Sequence, residues 1–121
     1  CFIYNKAFYE AFINPVHTPA EEENENVYDL IRLWAAEKGI YTKGDSKTQY
    51  LKLLEETGEL ANALLTNNRE EIIDAIGDCV VVLTNLAKLE DLKIEDCVVS
   101  AYDVIKSRRG KMINGTFVKE A

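Results

Sequence analysis

The stretch over residues 72–89 constrains the fold more than any other part of the chain. Written as a helix, it carries apolar residues at almost every angular position: Ile72, Ile73, Ala75, Ile76, Cys79, Val80, Val81, Val82, Leu83, Leu86, Ala87 and Leu89. A helix that is apolar all round is buried all round. A chain of 121 residues is one domain's worth with a single core, too small to surround one of its own helices. A subunit interface is therefore expected here. The polar exceptions Asp74, Asp78 and Asn85 fall on one side. Asp74 and Asp78 are four apart, Asp78 and Asn85 seven apart, and Glu71 lies one turn before Asp74, so they share a helical face. An Asp in such surroundings needs partners.

The segment before it reads SKTQYLKLLEETGELANALL. Ser46 and Gln49 form a capping-box pattern, which predicts a helix over about residues 46–65. One face holds Gln49, Lys52, Glu56 and Glu59, and the other holds Leu53, Leu54, Leu60, Ala61, Leu64 and Leu65. Taken alone, this is equally an amphipathic helix with a solvated polar face, because E-x-x-E is common. A short break, Thr66-Asn67-Asn68, leads into a further capping box of Asn68 with Glu71. If the two helices pair antiparallel, Glu56, Glu59, Asp74 and Asp78 converge on one small volume. Crowding carboxylates away from water is expensive without a positive partner. The faces supply no His and little Lys. A hard divalent cation such as Mg²⁺, which takes oxygen ligands and shares them with phosphate, fits the need.

The rest of the chain reads as further helices and one hairpin. Residues 2–13 form a short aromatic-rich helix, with Phe8 and Phe12 on one face, ending before Pro15. Its expected role is packing, with another subunit as one option. Residues 14–17 are a linker, with His17 a surface-loop histidine. Thr18-Pro19-Ala20-Glu21 is a helix start, and the acids Glu21, Glu22 and Glu23 suit the positive end of the helix dipole better than a metal site. That helix continues through Val27, Leu30, Ile31, Trp34 and Ala35 and stops at Gly39. A loop spans residues 40–45. After a turn at Leu92 and Lys93, Ile94, Val98, Ala101 and Ile105 mark a last helix, ending at Gly110 after the basic residues Lys106, Arg108 and Arg109. Cations at a helix C-terminus are favourable in themselves. MINGTFV reads as a β-hairpin around an Asn114-Gly115 type I′ turn.

The net charge of −7 argues against binding a nucleic-acid polymer, which normally shows a basic footprint. It leaves nucleotides open, since cations can neutralise carboxylates and phosphates together. Cys1, Cys79 and Cys97 show no paired spacing, and Cys79 and Cys97 fall within apolar helical patterns, so the latter two are expected as buried thiols in a reducing, cytoplasmic setting. No apolar run approaches the roughly 20 residues of a membrane span, and the N-terminus lacks a signal-peptide profile. With Cys1 in first position, the natural start is expected upstream or altered.

KLLEETGELANALL followed by DAIGDCVVVLTNLA resembles the MazG-like branch of the all-α nucleoside triphosphate pyrophosphohydrolases, in a compact form of the kind found in phages and mobile elements. The resemblance covers roughly residues 27–118, including the lead-in GIYTKGDSKTQY and the tail RRGKMINGTFVKE. It implies an all-α fold: a four-helix MazG-like bundle with a short N-terminal helix and a small C-terminal β-hairpin. Residues 1–18 would be the aromatic helix and linker, and 19–121 the pyrophosphohydrolase domain. The family pattern is E-x-x-E on one helix and E-x-x-D on the next. Glu56 and Glu59 match the first half, Glu55 completes E-E-x-x-E, and Asp78 matches the final Asp. The chain departs at the third ligand, where Ala75 stands. Asp74 on nearly the same face can replace it, and Glu71 with Asp74 also satisfies E-x-x-D.

The implied activity is Mg²⁺-dependent hydrolysis (Mn²⁺ able to substitute) of a (deoxy)nucleoside triphosphate to the monophosphate and pyrophosphate, with purines such as dGTP one option. The implied ligands are Glu56, Glu59, Asp74 and Asp78, with Glu55 accepting the water's proton. Lys52 would hold phosphate, and Lys106, Arg109 and Lys111 would close over pyrophosphate, from a neighbouring subunit as one option. Gln49 and Asn85 would touch sugar or base. A homodimer or a homotetramer built as a dimer of dimers is expected, with no nucleic-acid polymer or membrane as partner, in the cytoplasm (the host's, if phage-encoded). One rival is a di-iron bundle, which calls for Glu-x-x-His motifs that these helices lack. Another is a non-catalytic helical oligomerisation module with solvated acids.

Overall fold

A computed structural model of the chain describes residues 26–120. The expected aromatic helix over 2–13, the linker with His17, the capping box at Thr18 and Glu21, and the division at residue 18 lie outside the described residues. What is described is mostly helical, with one small antiparallel hairpin.

Helix α1 (Val27–Glu37) starts at Asn26, whose backbone is extended and whose side-chain oxygen accepts the Asp29 N–H at 3.0 Å. The apolar stripe from Val27 is helical as read. A short amide bonding the first-turn N–H makes Asn26 a helix start of its own. Gly39, at φ 83°, sits just past the end of α1, in the left-handed region that glycine adopts without strain. The segment expected as a loop then contains a single helical turn, α2 (Ile40–Lys43).

Helices α3 (Ser46–Leu65) and α4 (Arg69–Leu89) form the main packed pair, antiparallel across a three-residue connection. The cap of α3 is Asp45 rather than Ser46. Asp45 Oδ1 accepts the Thr48 N–H at 2.8 Å, and that bond holds the Asp45 carboxyl below its ordinary range. The Ser46 hydroxyl donates instead to Glu90 at the far end of α4. Asn68 caps α4 by accepting the Glu71 N–H at 3.3 Å.

Helix α5 (Ile94–Ile105) packs on α4 and ends at Ile105, short of the expected Gly110. Gly110 instead opens strand β1 (Gly110–Ile113), paired with β2 (Thr116–Lys119). A Cβ on Gly110 would lie 2.2 Å from the Val118 carbonyl oxygen, so this strand start needs glycine. Asn114 (φ 50°) and Gly115 (φ 82°) make the tight turn that an Asn-Gly pair favours. The hairpin packs on no other described element.

An ion pair ties α5 back to α1. Arg32 donates two hydrogen bonds to Glu95, at 2.8 and 2.7 Å, and one to Asp29 at 2.8 Å. The bidentate arrangement holds the Glu95 carboxyl down at about 2. A depressed carboxyl contributes stability above its unfolded value of 4.5 and loses it as pH falls through about 2,. Glu95→Gln is therefore expected to flatten the loss of melting temperature across that acid window. The effect should be modest, because Glu95 remains partly exposed,. Melting curves of parent and variant with the same acid slope would show that the pair contributes nothing.

The core of one chain is thin. Among the described residues, the buried apolar ones are Ala35, Ala63, Ala75, Val82 and Ala87. Most are small, and polar side chains share the interior: Glu56 on α3 and Thr84 and Asn85 on α4 are fully buried. Of the two readings of α3 left open, a solvated polar face or acids converging on α4, the structure has the second. The Glu56 side of α3 faces α4, while Leu54, Leu64 and Leu65 (84% exposed) point outward. Likewise α4 is not buried all round within one chain, since Ile73 is 65% exposed and Ile76 half exposed.

Candidate active site

Glu56 and Glu59, one turn apart on α3, meet Asp78 from α4. One carboxylate oxygen of each lies within 4.8 Å of the other two. Glu56 is wholly buried, Asp78 nearly so, and Glu59 is exposed. Neither oxygen of Glu56 has a hydrogen-bond partner. The nearest described cation is Lys52, whose Nζ lies 3.4 Å from Glu56 Oε1 and 3.2 Å from Glu55 Oε1. The first contact is an ion pair without hydrogen-bond geometry. Burial of a carboxylate with so little compensation is costly.

The cost is visible in the neighbouring groups. The charge on Glu56, and secondarily burial, pushes the Glu59 carboxyl above its ordinary value. Burial, then the charge of Asp74, does the same to Asp78. Burial followed by the charges of Glu56 and Asp78 raises the Cys79 thiol. A cation among the three carboxylates would relieve all of these. Carboxylate oxygens without nitrogen or sulfur donors are a hard donor set that suits Mg²⁺ or Mn²⁺.

A cleft of about 580 Å³ opens beside the cluster, and Glu55, Glu59, Asn62, Glu71, Asp74 and Asp78 line it. Asp74 and Glu71 thus share a wall with the cluster, although neither belongs to the set within 4.8 Å. Ala75, the position at which the chain departs from E-x-x-D, is buried in the same wall. Asn62 did not figure among the sequence candidates, though it lies three residues after Glu59 and could have been found by helical spacing. A second hollow of about 440 Å³ lies at the Ser46–Glu90 end of the pair, walled by Tyr50, Leu51 and Leu86. Its one carboxylate, Glu90, is already bonded to Ser46, and no cluster of polar groups converges there.

Gln49 and Asn85 lie seven residues from Glu56 and Asp78 on α3 and α4, about 10 Å along the helices. Asn85 is fully buried. Its Oδ1 accepts the Tyr41 hydroxyl at 2.6 Å, while its Nδ2 and Gln49 Oε1 are buried without a partner. Tyr41 carried no signal in the sequence, because its bond to Asn85 depends on how α2 sits on α4. Burial pushes the Tyr41 hydroxyl above its ordinary value.

The basic candidates are placed differently. Lys52 stands at the acid cluster. Lys106 pairs with Asp103 at 3.1 Å, Arg109 follows α5, and Lys111 lies on β1. None of these last three lines the cleft, so a single chain does not bring them to it.

The family model of the MazG nucleotide pyrophosphohydrolase domain matches residues 45–113. That is narrower than the resemblance read over 27–118, but it contains α3, α4 and every carboxylate of the cleft. An uncharacterized 18.2 kDa protein from the rep-hol intergenic region of Haemophilus phage HP1 (strain HP1c1) is 40% identical over 58 residues. The match covers 48% of this chain and 36% of that relative, about a third of its length. No solved structure matches the chain.

Proposed function

We propose a reaction from two facts: the chain belongs to the MazG nucleotide pyrophosphohydrolase family, and its acid cluster is built around a buried carboxylate that no hydrogen-bond donor satisfies. The protein hydrolyses (deoxy)nucleoside triphosphates between the α- and β-phosphates, releasing the monophosphate and pyrophosphate, with Mg²⁺ or Mn²⁺ as cofactor. The single observation that carries this is Glu56, whose two unpartnered oxygens lie with Glu59 and Asp78 beside an acidic cleft. A solvated helix face, as a non-catalytic module would have, gives no reason to bury that charge.

Glu56, Glu59 and Asp78 would hold the cation, and Asp74, from the cleft wall, would be the fourth ligand. When bound, the cation neutralises phosphate charge and acidifies the attacking water. Glu55, half exposed at the rim and paired with Lys52, accepts the proton of that water. The unpartnered Asn85 amide and Gln49 carbonyl, about 10 Å along the helices from the cluster, would supply a donor and an acceptor to sugar or base once substrate binding uncovers them, since both are buried in the free chain. Purines, dGTP among them, are one substrate class to examine first. Lys106, Arg109 and Lys111 reach outgoing pyrophosphate from a neighbouring copy in a homo-oligomer, since one chain leaves its hairpin unpacked.

The test is a hydrolysis panel of standard and modified (d)NTPs with Mg²⁺ or Mn²⁺, scored for the nucleoside monophosphate and pyrophosphate. Release of inorganic phosphate in place of pyrophosphate, or no turnover across the panel, would refute the reaction. A second measurement separates the candidates for the fourth ligand. Asp74→Ala is expected to cost at least about tenfold more activity than Glu71→Ala, because losing a ligand removes charge stabilisation worth several kcal/mol. The reverse order would place the site one turn nearer the start of α4.

A further inference from the structure

We propose that Lys52 is a built-in competitor of the divalent cation: its ammonium and the cation share the Glu56 carboxylate, so that cation binding drives Lys52 away from it. The inference rests on the metal reading above. Lys52 and Glu56 are four residues apart on α3, so their pairing is set by the helix itself. The two partners differ in exposure: the Lys52 side chain is 30% exposed and the Glu56 side chain wholly buried. The ammonium therefore approaches from the solvent side, against a carboxylate with no other described cation within ion-pair distance. Its second contact is with Glu55, which lines the cleft.

A divalent cation on the Glu56 oxygens needs the same lone pairs and repels an ammonium at that range. Lys52 need not leave the site to make room. Its four-carbon stem is flexible and its charge compact, with three donors free to reorient. Glu55 retains it at the rim, where an arriving phosphate would meet it. One residue thus lowers the cost of the buried acid before the cation binds and offers a positive group to the triphosphate afterwards. A rigid, planar guanidinium would serve the first role and yield less readily.

The experiment titrates Mn²⁺ alone, by calorimetry, into the full chain without substrate, for the parent, Lys52→Met and Lys52→Arg. Lys52→Met is expected to bind Mn²⁺ about two- to fivefold tighter, the scale of an ion pair with one partly exposed partner, and Lys52→Arg no tighter than the parent. Melting curves supply an independent readout. With chelator present, Lys52→Met should melt below the parent, because Glu56 has lost its cation. With saturating Mn²⁺ that gap should close. Should Lys52→Met fold only with Mn²⁺ present, Lys52→Gln takes its place. A purely structural lysine predicts unchanged or weaker Mn²⁺ affinity and a melting deficit that persists with Mn²⁺, and either result overturns the proposal. A parent that binds no Mn²⁺ overturns the metal reading with it, whereas a parent that binds alongside a variant that binds no tighter overturns this inference alone.

Discussion

Asp78→Asn and Glu59→Gln, each keeping shape and removing one charge, should lower nucleoside triphosphate hydrolysis by roughly 100- to 1000-fold, the equivalent of several kcal/mol of lost charge stabilisation. Neither change should weaken the fold when cation is absent. Burial and Asp74 raise the Asp78 carboxyl, and Glu56 raises that of Glu59. A raised carboxyl means that the folded state holds its proton more tightly than the unfolded state does. Ionising these groups therefore costs stability, and that cost grows as pH rises through their range. An amide removes it, so the chelated variants should melt at or above the parent near neutral pH. Mg²⁺ with a non-hydrolysable triphosphate should raise the parent's melting temperature strongly and the variants' weakly, because a ligand stabilises only the state that binds it. Acids with a structural role would give the opposite pattern: a folding defect on substitution and indifference to the cation. Near-parental hydrolysis by both variants would remove the proposed site.

The second large effect concerns assembly. Ile73→Glu combined with Ile76→Glu should abolish a homo-oligomer, together with most of the fold. In one chain these residues stand exposed on α4, as do Leu51, Leu54 and Leu65 on α3 and Val98, Val99 and Tyr102 on α5. Apolar surface on that scale marks an interaction face. In a symmetric dimer the double variant changes four side chains. At about 1.5–3 kcal/mol for full burial of an apolar side chain, and with half to two-thirds of each still exposed in one chain, the loss is about 3–7 kcal/mol, within reach of a domain's whole stability of about 5–15 kcal/mol. Sedimentation should find the parent as a dimer or a dimer of dimers, and its melting temperature should rise with protein concentration. A folded, stable monomer at micromolar concentration, or a double variant that melts like the parent, would dispose of this interface.

The sequence by itself determined four of the five helices and the hairpin between Val27 and Lys119, and missed the single turn α2. Local chemistry wrote them: Asn68 as a cap, Gly39 as a stop and Asn114-Gly115 as a tight turn each act within a few residues of the chain. The acids of the cleft were legible for the same reason, because spacings of three and four decide which side chains share a helical face. Where two local signals competed, the boundary moved. Asp45 took the cap from Ser46, Asn26 supplied the cap of α1, and α5 ended at Ile105 while Gly110 opened a strand.

Only the tertiary structure decided which face of α3 is inside. Periodicity gives a polar and an apolar face but no reason why the polar one should be buried. That choice depends on α4, whose Asp78 lies beside the buried Glu56 while the leucines point outward. Pairings between separate elements were equally non-local. Tyr41 reaches Asn85 across 44 residues of sequence, and Arg32 holds Glu95 across 63. Such pairs carry no spacing rule, because they arise when separate elements pack and burial then forces each polar group to find whatever partner lies opposite.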